Sequence, residues 1–247
     1  TLMDIEQVEV LRGPQGTRYG ANALAGLINF TTNEPNEELT TSIKLSAAAF
    51  DTKTTGVVLN IPITDTLLSR FVLESHESNG YIKNNFQDSD STNDRDELTS
   101  RAKFSWQVND DWNLKLSLAS IDINNGYDTF SLDNTRRTLS DEPGFDRQDS
   151  RYLSLKSRWD LNAMTVEALW NQSNSDLDYG YDEDWSFAGI HPWGYTSTDH
   201  YFRKRDTTSA EIRLLSNESG RVLPTRRTGS LVCITLAQKK RFNANTP

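Results

Sequence analysis

The chain has 247 residues, a net charge of −9, 25% charged residues and 35% hydrophobic residues. This acidic balance argues against a nucleic-acid partner, because neutralising phosphates takes clustered Lys and Arg. No window approaches the roughly 18 apolar residues of a transmembrane helix, yet a membrane barrel is not excluded, since its strands alternate lipid-facing and water-facing residues and keep the average hydropathy low.

Residues 5–32, IEQVEVLRGPQGTRYGANALAGLINFTT, place four glycines and Pro14 between two strand-like runs. VEVL and LINFTT read as strands. RGPQG reads as a turn in which Pro14 fixes φ and Gly13 and Gly16 permit tight geometry. The glycine spacing does not fit the dinucleotide fingerprint, and the Gly-Lys-Ser/Thr ending of a phosphate-binding loop is missing. NEPNEE (33–38) reads as a linker.

Beyond it the chain turns to period-two alternation, the mark of half-buried strands. Candidate strands fall at 39–50, 54–63, 67–78, 101–108, 112–119, 152–159, 164–171 and 207–214. In 112–119, Trp112, Leu114, Leu116 and Leu118 share one face and Asn113, Lys115 and Ser117 the other. No convincing helix competes with these strands. Their connections alternate in length: tight turns at 64–66, 109–111 and 161–163, and long polar segments at 79–96, 122–149 and 175–205. DTK (51–53) is the exception, a short connection on the long-loop side. Short turns on one side and long loops on the other are the rule of transmembrane β-barrels. Trp106, Trp112, Trp159 and Trp170 fall near the turn ends, where an interfacial aromatic girdle belongs. The competing arrangement is a soluble β-sandwich with tryptophans in its core.

Residues 226–247, RRTGSLVCITLAQKKRFNANTP, break the alternation and carry the lone cysteine, Cys233. Codons can be chosen for Arg227 to Gln238 that, read from the third base of the Arg227 codon, give Asp-Trp-Val-Ala-Gly-Met-Tyr-Tyr-Ala-Arg, a barrel-like strand. The expectation is a frameshift near residues 225–227, with a divergent tail as the alternative. Thr1 in place of a starting Met is likewise expected to mark a cut within a longer chain.

The stretch from Ile5 to Asn29 resembles the end of the plug domain of TonB-dependent outer-membrane receptors. The pattern is carried by Ile5 to Pro14, including Glu9, Arg12, Gly13 and Pro14, and then by Gly16, Tyr19, Gly20, Ala23, Gly26, Ile28 and Asn29. NGYIKN (79–84) is similar to the family's first long outer loop. Arg18 departs from a usual leucine, and Ala25 replaces the first glycine of a Gly-Gly pair, where it is expected to crowd a backbone position with positive φ. The resemblance implies an all-β chain, a partial transmembrane antiparallel β-barrel whose parent has about 22 strands. Residues 1–35 would be the C-terminal part of the plug, 36–225 about eight N-terminal barrel strands, and 226–247 the out-of-frame tail. Glu6, Glu9 and Arg12 would face either charged groups on the barrel wall or solvent.

The same resemblance implies a receptor in the outer membrane of a Gram-negative bacterium, with outer-membrane lipid, the inner-membrane TonB complex and a small-molecule ligand as partners. The TonB-contact motif lies outside this sequence. A ferric siderophore is the commonest ligand class in the family; cobalamin, haem and glycans are the alternatives within it. A secreted β-rich carbohydrate-binding module is the alternative of another class. The richest candidate contact region is residues 179–204, with Tyr179, Tyr181, Trp185, Phe187, His191, Trp193, Tyr195, His200, Tyr201 and Phe202. Exposed aromatic rings stack on catecholates, porphyrins or sugars; a loop that packs on its neighbours to cap the barrel is the alternative. DSDSTNDRDE (88–97) lacks the glycine and terminal glutamate of a calcium loop and reads as a solvated segment. His76, His191 and His200 have no metal-ligand spacing, and no catalytic signature is present. The sequence therefore points to no enzyme, no cofactor and no resident metal.

Overall fold

A computed structural model describes residues 2–16, 24–190, 192–216 and, as backbone, 231–245. Two strands, β1 (Ile5–Arg12) and β2 (Gly26–Thr32), form an antiparallel hairpin. Its open end is tied where the Gly13 N–H donates to the Ala25 carbonyl at 3.1 Å. Gly13 has φ +83° and Gly26 φ +145°. A Cβ on Gly26 would sit 2.5 Å from the Leu11 carbonyl oxygen, so glycine is required there on two counts. Ala25 is not among the residues with positive φ; the crowding expected of it does not arise, because the demanding conformation falls one residue later.

The rest is a single antiparallel sheet of nine strands. In chain order these are β3 (Thr40–Ala48), β4 (Thr52–Pro62), β5 (Leu67–Ser78), β7 (Arg95–Asn109), β8 (Trp112–Tyr127), β10 (Gly144–Asp160), β11 (Met164–Asp182), β12 (Thr198–Ser216) and β13 (Leu231–Asn245). Each pairs with its sequence neighbour in the sheet, so the sheet is an up-and-down meander, and its edges β3 and β13 do not close into a barrel in this chain. Two short strands, β6 (Lys83–Asn84) and β9 (Arg137–Thr138), pair in parallel within the long connections. Among the described residues the other antiparallel sheet is the two-stranded β1–β2 hairpin.

The two faces of the sheet obey one parity from strand to strand, because paired residues share a face. Lys103 lies opposite Ser117 and Lys115 opposite Lys156, and Arg158, Glu167 and Arg213 follow on the same side. This face touches the plug hairpin. The other face carries Leu116, Leu155 and Trp170 in line, with Trp106, Leu118, Leu155, Trp159, Trp170, Ile212 and Leu214 all exposed. A continuous apolar exposed face opposite a charged one is what lipid on one side and water on the other require. Trp112 and Trp159 are paired at the turn end, ring centroids 6.3 Å apart. Trp170 lies opposite Leu155, further along the strands than that pair.

The strands are longer than the alternation predicts. β11 and β12 each run 19 residues, whereas about 9–11 cross a bilayer. The excess lies on the loop side, where a sequence such as NQSNSD (171–176) is polar on both faces. Hydrophobic alternation records contact with lipid, and pairing of the backbone continues beyond it. The long connections accordingly shrink to 79–94, 128–143 and 183–197. A ninth strand, β13, occupies the tail and pairs with β12 from Leu215–Leu231 to Phe202–Asn245. Strand pairing uses backbone groups common to any sequence, so it bears on the placement of the tail and not on its reading frame.

Candidate functional site

The inner face has two furnished regions. At the turn end the plug and its linker meet the wall. Arg70 grips the Asp4 carboxylate with two bonds, Nε to Oδ2 at 2.8 Å and Nη2 to Oδ1 at 2.6 Å, and both side chains are largely buried. Asn33 Nδ2 donates to the same carboxylate at 2.8 Å, and Arg101 donates to the Met3 carbonyl. Burial alone would raise the Asp4 pKa, but the Arg70 and Asn33 bonds outweigh it and hold the carboxyl below its ordinary value. Lys103 donates to the Thr32 carbonyl at 3.0 Å and to Glu34 Oε1 at 2.6 Å. Lys115 reaches Glu34 Oε2 at 2.7 Å. Glu34 is held below its ordinary value too: burial opposes the shift, and the two lysines impose it. The linker is anchored by the buried Asn60, whose Nδ2 donates to the Asn36 carbonyl at 2.9 Å.

Sequence reasoning missed the residues that dock the plug. Glu9 accepts from Asn29 at 2.9 Å within the hairpin, and the pairs to the wall come instead from Asp4 and Glu34. Of the plug motif, Gly13, Pro14, Gly16, Gly26 and Asn29 fall in the hairpin and its turns; Tyr19 and Gly20 lie outside the described residues.

At the loop end, aromatic rings gather on the same inner face. Tyr179 and Tyr181 on β11 share a side, and Tyr179 lies opposite Tyr201 on β12. Tyr179 meets Tyr127 of β8 edge to face at 4.9 Å, and Phe130 stacks on Trp185 at 5.0 Å with planes 13° apart. Tyr181 donates to Asp199 Oδ2 at 2.7 Å and Tyr201 to the same atom at 3.3 Å. These ends of β11 and β12 project beyond the length needed to cross a membrane. There the bond to Asp199 pushes the Tyr181 hydroxyl up to about 12, so it stays a donor.

Of the residues singled out by sequence, Tyr179, Tyr181, Trp185 and Tyr201 come together. His200 points to the opposite side of the sheet, where it contacts Asp178 and lies edge-on to Phe145 at 5.3 Å. Trp193 and Tyr195 stand apart, 76% and 52% exposed. His191 lies outside the described residues. Phe187 leaves the cluster to stack on Phe86 at 4.7 Å. Tyr127 and Phe130 were missed because they come from another connection; continuing the inner-face parity of β8 as far as Tyr127 is the signal that finds the first.

The connections are knitted by buried polar groups. Asp128 Oδ2 accepts from Asn84 Nδ2 at 2.9 Å, Thr92 Oγ1 at 2.7 Å and Thr138 Oγ1 at 2.7 Å. Asn84 is 0% exposed and Asp128 4%. The Asn84 side chain also donates to the Ser140 carbonyl and accepts from the amides of Phe86 and Gln87. The Asp141 amide donates to the Ser186 carbonyl at 3.1 Å, which joins the second connection to the third. Near this joint, burial and the neighbouring Asp184 carboxylate push Asp182 up to about 6, against the Ser140 hydroxyl beside it.

A hairpin docked on the charged face of an apolar-faced antiparallel meander fits part of a plugged outer-membrane β-barrel. Comparisons with known proteins agree. The chain is 40% identical over 67 residues to the pesticin receptor of Yersinia pestis, a match covering 27% of this chain and 10% of that protein. It is 25% identical over 218 residues to the metal-pseudopaline receptor CntO of Pseudomonas aeruginosa, covering 87% and 28%. Among solved structures, the ferric yersiniabactin uptake receptor FyuA of Yersinia pestis superposes with a TM-score of 0.71 at 18% identity, covering 88% of this chain and 34% of that one. The pyoverdine outer membrane receptor FpvA of Pseudomonas aeruginosa superposes with a TM-score of 0.67 at 14% identity, covering 95% and 35%. No protein-family profile matches. These similarities support a TonB-dependent outer-membrane receptor, of which this chain is a part, and a place in the outer membrane of a Gram-negative bacterium. The chain spans between 10% and 28% of the length of these curated relatives, both of which are named as receptors.

Proposed function

We propose that the receptor carrying this sequence imports a ferric siderophore across the outer membrane, energised by the inner-membrane TonB complex. The observation that carries the reading is the plug hairpin seated by ion pairs on the inner wall, with tyrosines on the same face toward the loop end. A stopper held by charge pairs, with little apolar burial, can be displaced by a pull and re-seated. Tyr127, Tyr179, Tyr181 and Tyr201 would receive the ligand, Trp185 would back them, and Trp193 and Tyr195 would line the rim. In this reading residues 1–35 end the plug and 36–225 begin the barrel. Residues 226–247 would be a frame-shifted tail, which resequencing the encoding DNA past the Pro247 codon tests directly.

The functional test is uptake of radiolabelled ferric siderophores, haem and cobalamin under iron limitation. A strain lacking the receptor gene is compared with one carrying it, with and without TonB. Loss of uptake of one ferric siderophore class, restored by the gene only when TonB is present, is the expected result. Unchanged uptake of every ferric siderophore would overturn the iron reading.

A further inference from the structure

Alternation places Arg101 and Lys103 on the inner face of β7, Lys115 on the same face of β8, and Arg70 on the same face of β5, opposite Lys103. These cations stand side by side on the wall where the plug and its linker touch it. Glu74, the carboxylate that the same strands set beside them, pairs with Lys44 of β3 at 3.2 Å. The next cations around the wall are answered from the wall itself: Lys156, opposite Lys115, and Arg158 reach Glu167 at 3.5 and 3.1 Å. Arg70, Lys103 and Lys115 differ. Among the described residues their ion pairs go to Asp4, just ahead of β1, and to Glu34 in the linker.

Arg101 stands out further. Among the described residues it makes no ion pair. It donates to the Met3 carbonyl, and its buried Nε has no hydrogen-bond partner. An open donor on a buried guanidinium is costly. Against Arg101 and Lys103 lies a cavity of about 360 Å³ between β2 and the wall, with Ser117, Tyr152 and Ser154 also in its lining. That volume falls within the range of small-molecule sites. Guanidinium, ammonium and hydroxyl donors around one space suit an anion with several oxygen acceptors.

We propose that Arg70, Arg101, Lys103 and Lys115 form an anion-binding strip that the carboxylates of Asp4 and Glu34 cover in the docked state. When the plug moves, both counter-charges leave together, and an anionic ferric complex takes their place on the wall. The inference rests on the transport reading and narrows it: the ligand carries net negative charge, and neutral or cationic complexes gain nothing from the strip.

The test reads the charge of the wall with two thiol reagents of like size and opposite sign, a sulfonate and a trimethylammonium methanethiosulfonate. The target is Ser117→Cys in the intact receptor cleared of other cysteines, since Ser117 lies opposite Lys103; Ser154→Cys, opposite Ser117, is the second reporter. The ratio of the two rates cancels the effect of nearby cations on the thiol itself. A unit charge about 8 Å away changes that ratio roughly sixfold in water at low ionic strength. The ratio should therefore move toward the sulfonate by about fivefold or more when urea, which is uncharged, is raised to the concentration at which the plug amides exchange. Arg101→Gln with Lys103→Gln should remove most of that rise, and Arg101→Lys with Lys103→Arg, which keeps the charges, should retain it. No rise on plug opening, or a rise that survives the neutral pair of substitutions, would each overturn the proposal. These rates involve no siderophore. Failed uptake with the rise preserved would count against the transport reading and leave the anion strip standing; normal uptake without the rise would count against the strip alone.

Discussion

The two ends of the inner face are built from different chemistry. At the turn end the plug is held by a few ion pairs, one largely buried, Asp4 with Arg70, and two that share the half-exposed Glu34, with Lys103 and with Lys115. At the loop end the connections are bound to each other by fully buried polar groups, Asn84 and Asp128 above all. Buried hydrogen-bond networks are rigid because every broken bond leaves a desolvated group behind. The ion pairs of Glu34, near water, exchange partners at little cost, and among the described residues the turn end has a single buried pair to break. In the proposed transport reading, the turn end lets go and the loop end keeps its shape.

The loop end should show the largest effect. Asp128→Ala strands donors on Asn84, Thr92 and Thr138, which should cost about 3 kcal/mol or more. Proteolysis of residues 79–94 and 128–143 in the intact receptor is the readout. Asp4→Ala should come next: it leaves Arg70 buried without its carboxylate, about 3 kcal/mol against plug docking, and should raise hydrogen exchange in β1 and β2 while sparing the barrel strands. Acidification should act in the same direction. The Asp4 pKa is depressed when the plug is docked, so its contribution is present above the ordinary carboxylate value of about 3.9 and is lost as pH falls through the lower docked value. Tyr181→Phe removes one bond to Asp199 and should shift ligand affinity by about 1 kcal/mol, measured by siderophore titration. Glu34→Gln should be the smallest, below about 1 kcal/mol and diminishing with salt, since the pairs it breaks are half exposed.

Much of this architecture was legible in the sequence where lipid and water meet the same strand. The faces of 101–119 follow from alternation, and the turns at 64–66, 109–111 and 161–163 match the observed connections closely. The upper halves of β11 and β12 were not legible, since water on both sides erases the alternation that marks a strand. Pairings across long sequence separations were hidden as well. Asp4 and Arg70 are 66 residues apart, and nothing local in either predicts the other. The aromatic cluster was half visible: Tyr179, Tyr181, Trp185 and Tyr201 stand close in sequence, whereas Tyr127 and Phe130 reach them only through the register of β8, β10 and β11. The same register separates His200 from its neighbours, since one residue along a strand changes face.

The measurement that tests the contrast most directly is hydrogen exchange in the intact receptor at rising denaturant. The account predicts that amides of Ile5–Arg12 and Gly26–Thr32 open together at low denaturant, well before those around Asn84, Asp128 and Thr138. Plug amides that exchange only when the barrel strands unfold would contradict it.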